Sequence, residues 1–269
     1  MLSIIIVNYQ KPELLRLCLK SIQRAITPSF AHEILVVDVA AGPRTRSVVT
    51  EEFPSVKYLP FAENIGYTKG VNAGIAAAGG DTCFIMNSDI IPMANSFEIL
   101  HKYLIGHSEV GMAGPKLLNF DGTPQASCFR YVTPLTILSR RTPLGLLPFM
   151  KKSMNDFFMN DRDLTHPTLV DWLSGSAFMI TKAAAEKVGP MDESMFLYLS
   201  DVDWPRRFWD NGYAVAYIPE AQMFHYHHRE SRGRVGIFDV FVNRQTRQHI
   251  KDAIRYFRKY GTRRFTHVS

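Results

Sequence analysis

Two carboxylates stand one residue apart in the stretch Ser200-Asp201-Val202-Asp203-Trp204. The apolar run Met195-Phe196-Leu197-Tyr198 precedes them, and Arg206 and Arg207 follow. Burial of an acid in such surroundings costs free energy unless the acid has a charged partner, a metal ion or a reaction to perform. The start of a helix, which favours acids in its first turn, explains the same pair. The residues alone leave both interpretations open.

Polar residues also follow three apolar runs of strand length. These runs and the polar residues after them are 3–7 with Asn8 and Tyr9, 34–37 with Asp38, and 82–86 with Asn87, Ser88 and Asp89. Runs that are apolar throughout predict parallel strands covered on both faces, and ligands of such sheets bind beyond the carboxyl ends of the strands. We therefore expect a ligand site at this edge. An aspartate at a strand end is also a common helix cap or turn residue.

The residues between these runs have helical spacing. Pro12 suits the first turn of a helix, and the apolar residues that follow at this spacing are Leu14, Leu15, Cys18, Leu19 and Ile22. A short strand is predicted at residues 56–59. After the paired acids, residues 202–211 predict a helix that Gly212 ends, and residues 213–218 predict a returning strand. This alternation indicates an α/β fold with a parallel sheet.

Three glycines are four residues apart, at Gly66, Gly70 and Gly74, and therefore share one face of a helix. Each glycine inside a helix costs about 1 kcal/mol relative to alanine, so that three of them need a reason. Close packing of the helix against the sheet is one reason. The other is a site at which Asn64 and Lys69 reach a nucleotide or diphosphate, and the residues alone favour neither.

Residues 120–168 lack clear periodicity and predict a loop-rich insertion with short helices around residues 134–141 and 154–158. Apolar and basic side chains mix here, including residues 144–150 with Lys151 and Lys152. Such a mixture fits part of an acceptor site or a membrane-facing surface. An ordinary surface loop fits equally well.

The bulk composition is that of an ordinary globular protein, with 46% hydrophobic and 21% charged residues in 269. No apolar run approaches the roughly eighteen residues of a transmembrane helix, and residues 2–7 are too few for the apolar part of a signal peptide. The cysteines are Cys18, Cys83 and Cys128. Because they are few, odd in number and without metal-ligand spacing, we expect reduced thiols and a cytoplasmic protein.

Positive charge is concentrated at the end of the chain. Residues 229–269 contain eleven Lys or Arg and three Asp or Glu, a net charge of +8 within a total of +6. An anionic membrane surface is the expected partner, and nucleic acid is not, because no nucleic-acid-binding motif is visible. Residues 238–260 predict an amphipathic helix with Ile250, Ala253, Ile254 and Phe257 on one face and Lys251, Arg255, Arg258 and Lys259 largely off it. Packing on the domain and interfacial membrane binding both fit this helix.

Several spaced motifs carry a resemblance to a known family. In order along the chain they are Asn64-Ile65-Gly66-Tyr67-Thr68-Lys69-Gly70-Val71-Asn72-Ala73-Gly74, Asn87-Ser88-Asp89, Gly175-Ser176-Ala177-Phe178-Met179-Ile180, Gly189-Pro190-Met191-Asp192-Glu193, the paired acids, Asn211-Gly212-Tyr213 and His225. Together they resemble family 2 glycosyltransferases over roughly residues 2–260, and most of all bacterial rhamnosyltransferase-type members that build surface polysaccharides.

The resemblance implies a single domain over residues 1–269 with the α/β fold called GT-A, as in nucleotide-diphospho-sugar transferases. Helices would cover both faces of a mostly parallel central sheet. The nucleotide-sugar-binding half would span about residues 1–115, and the acceptor and catalytic half about residues 116–236. A C-terminal amphipathic helix would occupy about residues 237–260.

The resemblance also assigns roles to residues. Asp201 would be the catalytic base, ionised at neutral pH if its pKa stays near the ordinary value of about 3.9. Asp203, Trp204 and Arg207 would orient the acceptor or support the structure, with Asp203 paired to Arg206 or Arg207. The nucleotide-sugar would contact Asn8, Tyr9, Asp38, Asn64, Gly66, Lys69, Asn87 and Asp89. Asp89, with His225 as a candidate further ligand, would bind a divalent cation, Mg²⁺ or Mn²⁺.

The chain departs from the family pattern at three points. Val39-Ala40-Ala41-Gly42-Pro43 follows Asp38 where Asn-x-Ser is usual, Asn87 replaces a frequent first acid of the metal motif, and Ser200 precedes Asp201 where an acid is usual. The first departure concerns the contacts of the base and the ribose. The second leaves Asp89 as the single carboxylate ligand.

The implied activity is inverting transfer of a sugar from a dTDP- or UDP-sugar, rhamnose from dTDP-rhamnose in the first instance, to a saccharide or lipid-linked acceptor. The protein would be cytoplasmic and peripheral on the inner face of the cell membrane. The rival hypotheses are an inactive transferase-fold protein, a membrane- or nucleic-acid-binding module without activity, and a nucleotidyltransferase. The last normally has a glycine-rich signature after the first strand, which Asn8-Tyr9-Gln10-Lys11-Pro12 lacks.

Overall fold

The apolar run that opens the chain forms the buried strand β1 (Leu2–Asn8). In the computed structural model, which describes residues 1–141, 147–226, 244–263 and 265–268, β1 lies between β2 (His32–Asp38) and β4 (Thr82–Asn87) and is parallel to both. A further parallel strand, β3 (Lys57–Pro60), pairs with β2. This half of the sheet is the parallel α/β arrangement that the apolar runs predict.

The second half of the sheet is mixed. β11 (Ala177–Thr181) lies between β4 and β6 (Val110–Leu118) and is antiparallel to both, whereas β12 (Ala214–His225) is parallel to β6. β5 (Ile90–Pro92) pairs antiparallel with β12 at the edge. Short strands complete the architecture: β7 (Pro124–Gln125) pairs with β6, β9 (Thr168–Leu169) pairs with β12, and β8 (Cys128–Phe129) pairs with β10 (Trp172–Leu173) in a separate ribbon.

Helices cover both faces of this sheet, as predicted. They are α1 (Pro12–Ala25), α2 (Pro43–Ser47), which continues into a π-helical turn (Val48–Glu52), α3 (Gly66–Ala77), α4 (Ser96–Gly106), α5 (Pro134–Arg141), α6 (Pro148–Phe157), α7 (Lys182–Val188), α8 (Ser200–Asp210) and α9 (Arg244–Tyr260). Ile4 and Ile6 of β1 pack in one core with α1 and α4. Ile5 and Val7 face the other core, with α3, α7 and α8.

The glycines of α3 permit its close approach to the sheet. A Cβ on Gly70 would stand 2.6 Å from Cγ1 of Val39, and a Cβ on Gly74 would stand 2.4 Å from Cγ2 of Ile5. Both distances are far below ordinary contact, so that any larger residue at either position would push α3 away from β1 and β2. Close packing therefore accounts for Gly70 and Gly74.

Several predicted element ends differ from the observed ones. The returning strand, expected at residues 213–218, continues as β12 to His225. The helix expected around residues 154–158 begins earlier, as α6 at Pro148. The predicted boundary between the two halves, near residue 115, falls within β6, and that division stays a prediction.

The C-terminal helix α9 packs on the domain through only part of its predicted apolar face. Ala253 and Phe257 pack against a buried cluster, whereas Ile250 and Ile254 are 39% and 47% exposed. The described buried residues of α9 are Thr246, Asp252 and Tyr256. Residues 238–243 of the predicted helix and residues 142–146 of the predicted insertion lie outside the described residues. Cys18, Cys83 and Cys128 are buried free thiols. Among the described residues, no helix combines the length and the apolar composition needed to cross a membrane.

Candidate active site

The carboxyl ends of the parallel strands bring the predicted rim residues together. Asn8 ends β1 opposite Asp38 at the end of β2, and Val7 is opposite Asn87 at the end of β4. Tyr9, the residue after β1, is 45% exposed at this edge. The sheet register thus gathers residues that are about thirty and eighty positions apart in the sequence.

Asp38 is buried beneath this edge rather than open to solvent. Its Oδ1 accepts a hydrogen bond from Asn8 Nδ2 at 3.0 Å, and its Oδ2 accepts one from the Tyr58 hydroxyl at 2.9 Å. Burial raises the pKa of the Asp38 carboxyl, and these two hydrogen bonds oppose the rise. The structure therefore shows Asp38 holding Asn8 and Tyr58. Its contact with a nucleobase stays a prediction.

The start of α3 is tied to the loop that leads to the paired acids. Asn64 Oδ1 accepts a hydrogen bond from the Gly66 N–H at 2.9 Å, and the Tyr67 N–H donates to the Phe196 carbonyl at 3.2 Å. Gly66 has φ +81°, and a Cβ there would meet the Phe196 ring at 2.6 Å. Packing on Phe196 is therefore the visible role of Gly66. Nucleotide contacts of Gly66, Asn64 and the exposed Lys69 stay predictions.

Asp201 lies in the first turn of α8, after Leu199 in the left-handed conformation (φ +61°). Its Oδ2 accepts a hydrogen bond from the Gly175 N–H at 3.3 Å, and the Tyr67 hydroxyl donates to the Gly175 carbonyl at 2.6 Å. Burial of the carboxyl raises the pKa of Asp201 to about 6, although the Gly175 N–H, the backbone of Asp201 itself and the positive charge of Arg140 all lower it. The expectation of an ordinary pKa is wrong, because protein atoms enclose the carboxyl.

Gly175 and Tyr67 are functional candidates that sequence reasoning did not single out. A Cβ on Gly175 would lie 3.0 Å from Cβ of Asp201, so that glycine allows the close approach of this backbone to the carboxylate. Tyr67 binds the carbonyl of the same glycine. Both residues stand inside motifs that carry the family resemblance, and that membership was the available signal.

The two residues Gly175 and Ser176 also join Asp201 to the metal motif. The Asn87 N–H donates to the Ser176 carbonyl at 3.0 Å, where β11 begins beside β4. Asp201 on one side and Asn87 on the other therefore contact consecutive residues of one loop. The structure thus brings both predicted acidic centres to the same edge of the sheet.

Asp89 faces His225 across a gap that contains no hydrogen bond. His225 Nε2 lies 3.7 Å from Asp89 Oδ1, and this buried oxygen has no hydrogen-bond partner among the described residues. His225 Nδ1 is 2.9 Å from Gln125 Oε1. The Gln125 amide nitrogen donates to the His225 carbonyl at 2.9 Å, so that its oxygen must face Nδ1. His225 therefore carries a proton on Nδ1, and Nε2 is the ring nitrogen on the side of Asp89.

A carboxylate oxygen and the ring nitrogen of a neutral histidine at this separation suit a shared cation. Ligands each about 2 Å from one ion lie roughly 3–4 Å apart. Lys11, a further residue without a sequence-based assignment, places Nζ 3.5 Å from Asp89 Oδ2. The described residues contain no cluster of three or more His, Cys, Asp or Glu side chains that could hold a metal. Asp89 and His225 therefore fit a cation that takes its other ligands from a substrate and water.

Asp203, the second acid of the pair, points away from Asp201 and is fully buried. It accepts hydrogen bonds from Arg207 Nε at 3.0 Å, Lys259 Nζ at 2.6 Å and the Tyr260 hydroxyl at 2.8 Å. Arg207 is thus its partner within α8, whereas the Arg206 guanidinium lies 4.1 Å from the centre of the Tyr260 ring.

Trp204 and Arg207 connect α8 to the preceding turn. Trp204 Nε1 donates to the Gly189 carbonyl at 2.9 Å, and Arg207 Nη2 donates to the Pro190 carbonyl at 2.6 Å. A second buried acid, Asp252 of α9, accepts hydrogen bonds from the backbone of Leu197 and Tyr198 at 3.4 and 3.1 Å. These contacts support the structural role for Asp203, Trp204 and Arg207. Contact of these residues with an acceptor stays a prediction.

Comparisons relate the chain to known proteins. The sequence model of the family described as Glycosyl transferase family 2 matches residues 3–143. An N-acetylglucosaminyl-diphospho-decaprenol L-rhamnosyltransferase of Mycobacterium tuberculosis (strain CDC 1551 / Oshkosh) is 28% identical over 213 residues, which cover 75% of this chain and 68% of that protein. The resemblance that the spaced motifs predict is confirmed.

Two solved structures share the fold. GalNAc-T7 with UDP, GalNAc and Mn²⁺ aligns with a TM-score of 0.67 at 15% identity, over 86% of this chain and 44% of that chain. The mannosyltransferase PcManGT of Pyrobaculum calidifontis, in complex with GDP-Man and Mn²⁺, aligns with a TM-score of 0.60 at 18% identity, over 94% of this chain and 64% of that chain. This chain therefore spans less than two thirds of either. The predicted GT-A-type fold is confirmed.

We expect replacement of Asp203 and replacement of Asp201 to have opposite effects on the stability of the fold. Asp203→Asn should destabilise the fold by roughly 3 kcal/mol, because it breaks a buried ion pair with Arg207 and Lys259. Asp201→Asn should stabilise it at pH 8 by on the order of 1–3 kcal/mol, since the raised pKa means that the ionised carboxyl is unfavourable in the folded state. The folded parent binds this proton more tightly than the unfolded chain, so the parent loses stability as pH rises from about 4 to about 6. Urea unfolding at pH 4.5 and pH 8 measures both, and equal effects of the two substitutions would contradict the assignment.

Proposed function

This chain belongs to glycosyl transferase family 2, and we propose that it is an inverting glycosyltransferase acting on a nucleotide-sugar. One observation carries the proposal: Gly175 and Ser176 join Asp201, with its raised pKa, to the end of β4, after which Asp89 faces His225 of β12. A base and a candidate site for a diphosphate-bound cation thus lie at one edge of the sheet. Rhamnose from dTDP-rhamnose is the first candidate donor, because the relative from M. tuberculosis is named as an L-rhamnosyltransferase.

The reaction is a single displacement at the anomeric carbon. The acceptor hydroxyl oxygen forms a bond to this carbon while the bond from carbon to the phosphate oxygen breaks, and the nucleoside diphosphate leaves with the electron pair. Asp201 accepts the hydroxyl proton on its carboxylate. A base with a pKa of about 6 is ionised at neutral pH and yet binds a proton more readily than an ordinary aspartate does.

The leaving diphosphate needs its growing charge neutralised. Asp89 and His225 would hold Mg²⁺ or Mn²⁺, and such an ion, when bound, supplies positive charge to the phosphate oxygens. Gln125 keeps the His225 ring in the orientation and tautomer that ligation requires. Lys11 adds a cationic side chain beside Asp89. Asn8, Tyr9 and Asn87 would complete the donor site at the strand ends.

We infer a lipid-linked saccharide as the acceptor and an anionic membrane surface as the partner. The relative from M. tuberculosis is named for a diphospho-decaprenol substrate. In α9, Ile250 and Ile254 are exposed beside the exposed cations Lys251 and Arg258. An exposed stripe that combines apolar and basic side chains is typical of helices that lie at a membrane interface. The protein would then act from the cytoplasmic side as a peripheral protein.

Replacement of Asp201 by Asn should slow transfer by roughly 10²–10⁴-fold, the range for a lost general base, and leave donor affinity almost unchanged. The parent rate should rise with pH up to about 6 and then level off, because the base must be ionised. The variant should lack this inflection. Single-turnover transfer from pH 4.5 to 8, beside calorimetric donor titration, measures both quantities. A variant that transfers at the parent rate, or keeps the inflection, would show that Asp201 is not the base.

Loss of the Asp89 carboxylate should act on donor binding as well as on rate. Asp89→Ala should weaken nucleotide-sugar affinity and abolish transfer, and a chelator should do the same to the parent, because the diphosphate loses its cation. Asp121→Asn, a change at an exposed loop carboxylate, is the matched control. Calorimetric titration with and without Mn²⁺ measures the affinity for the nucleotide-sugar separately from turnover. Donor affinity that depends on neither Asp89 nor metal would refute the assignment.

The membrane contact needs a different variant from the one that the sequence suggests. The sequence favours joint replacement of Arg255, Arg258 and Lys259, with the fold expected to stay intact. Two of the three are unsuitable for this test, because Lys259 lies 2.6 Å from the buried Asp203 and Arg255 lies 3.3 Å from the buried Asp252. Replacing either leaves a buried acid with fewer partners and costs stability.

Lys251 and Arg258 form no ion pair with any described residue. Their joint change to Gln should weaken binding to phosphatidylglycerol vesicles, and added salt should weaken the parent's binding because exposed charges are screened beyond about 8–10 Å. Lys20→Gln with Arg24→Gln removes two exposed cations of α1 and should change nothing. Vesicle flotation measures the bound fraction. Equal binding by both double variants would rule out α9 as the contact.

A further inference from the structure

An apolar groove lies between α5 and α9. Its lining includes Ile137 of α5 and, from α9, Ile250, Ala253, Ile254, Phe257 and Arg258. The groove holds ≈ 380 Å³, within the range of roughly 300–1,000 Å³ that is common for small-molecule sites. It is open along one side, where Ile250 and Ile254 are exposed. A slender apolar ligand that enters from the side matches this shape.

The groove and the segment around the catalytic carboxylate contact one buried cluster. Ile137, Ala253 and Phe257 pack against a buried cluster that contains Leu199 and Val202, the residues on either side of Ser200-Asp201. The groove and the start of α8 thus share the same supporting cluster. A ligand in the groove would therefore extend towards the reacting end of the acceptor site.

Arg140 belongs to α5, the helix that contributes Ile137 to the groove. It follows Ile137 by three residues on α5, so that both side chains lie on one side of that helix. Its guanidinium lies 5.4 Å from the centre of the Phe157 ring, which belongs to the same buried cluster. Its charge also acts on Asp201, where it lowers the pKa. A cation in this position is suited to an anion that lies a short distance from the reacting hydroxyl.

The charge of the groove is of one sign. Apart from Asp252, which is buried beneath α9, the sequences of α5 and α9 contain no Asp or Glu. Lys251 and Arg258 are exposed on α9 beside the apolar lining. A second copy of this chain would bring like charges together, which disfavours self-association at this face. An apolar chain with an anionic head is complementary to both the lining and the charge.

We propose that the groove between α5 and α9 binds the isoprenoid chain of a polyprenyl-diphosphate-linked saccharide acceptor, with Arg140 at the diphosphate. The saccharide then lies between Arg140 and Asp201, and its hydroxyl meets the base. This inference rests on the proposed glycosyltransferase function, because it names the acceptor of that same site. A bilayer surface would also contact Ile250 and Ile254, and a titration without vesicles separates the two.

Farnesyl diphosphate is the probe, titrated by calorimetry without vesicles and with a chelator present, so that neither lipid surface nor donor-site cation contributes. The parent should bind it at least 10-fold more tightly than inorganic diphosphate. Ile250→Ser with Ile254→Ser should lower the affinity for farnesyl diphosphate at least 10-fold and leave inorganic diphosphate unchanged. Leu17→Ser with Ile105→Ser, at side chains that are 53% and 62% exposed elsewhere, is the matched control. If the double variant fails to fold, the affinities of the single variant Ile254→Gln for farnesyl diphosphate and inorganic diphosphate are compared instead.

Arg140→Gln should weaken the affinity for farnesyl diphosphate several-fold and leave the affinity for farnesol unchanged. Parent binding of farnesyl diphosphate no tighter than that of inorganic diphosphate would overturn the inference. So would a groove variant that loses vesicle binding but keeps its affinity for farnesyl diphosphate, because the face would then contact only the bilayer.

Transfer assays separate this inference from the proposed function. The groove variant should raise the KM for a farnesyl-diphosphate-linked saccharide at least 10-fold, with kcat and the KM for a lipid-free saccharide unchanged. An equal rise for both acceptors would overturn the groove assignment. A parent that transfers no sugar from any nucleotide-sugar would refute the proposed function, while the farnesyl diphosphate titration would still decide the groove.

Discussion

The close approach of the Gly175 peptide to the Asp201 carboxylate is the contact on which the site depends. The Gly175 N–H meets the carboxylate at 3.3 Å in a position where a Cβ would lie only 3.0 Å from Cβ of Asp201. The next residue, Ser176, accepts a hydrogen bond from Asn87. Two consecutive residues therefore set the distance between the base and the strand end that carries Asp89. Displacement of this loop would change the position of the base relative to Asp89. Burial of the carboxyl raises the pKa of Asp201.

The two neighbouring acids use one helix for different purposes. Because they are two residues apart, they leave α8 in different directions. Asp201 faces the edge of the sheet, whereas Asp203 faces inward and binds Arg207, Lys259 and Tyr260. Asp252 adds a second link between α9 and the loop before Asp201. The position of the base thus depends on a C-terminal helix that is remote in sequence.

Much of the fold could be predicted, because apolar runs and helical spacing record burial directly. β12 was predicted too short because Pro219 usually ends a strand, and the structure accommodates it at a register shift between Ile218 and Gln222. The exposure of Ile250 and Ile254 on α9 could not be predicted. The buried side of this helix includes Asp252, which accepts hydrogen bonds from the backbone of Leu197 and Tyr198. Residue types located the strand-end acids and Asp201. The roles of Gly175, Tyr67 and Gln125 depend on distances between segments that no local pattern contains.

The central claim is that Asp201 acts as a base on an acceptor hydroxyl rather than as a nucleophile on the sugar. The most direct measurement is the anomeric configuration of the first product, determined by NMR after a single turnover with a nucleotide-sugar of known configuration. A single displacement assisted by Asp201 predicts that the new glycosidic bond has the configuration opposite to that of the bond from sugar to phosphate. A product that retains the donor configuration would require a second displacement and would contradict the account.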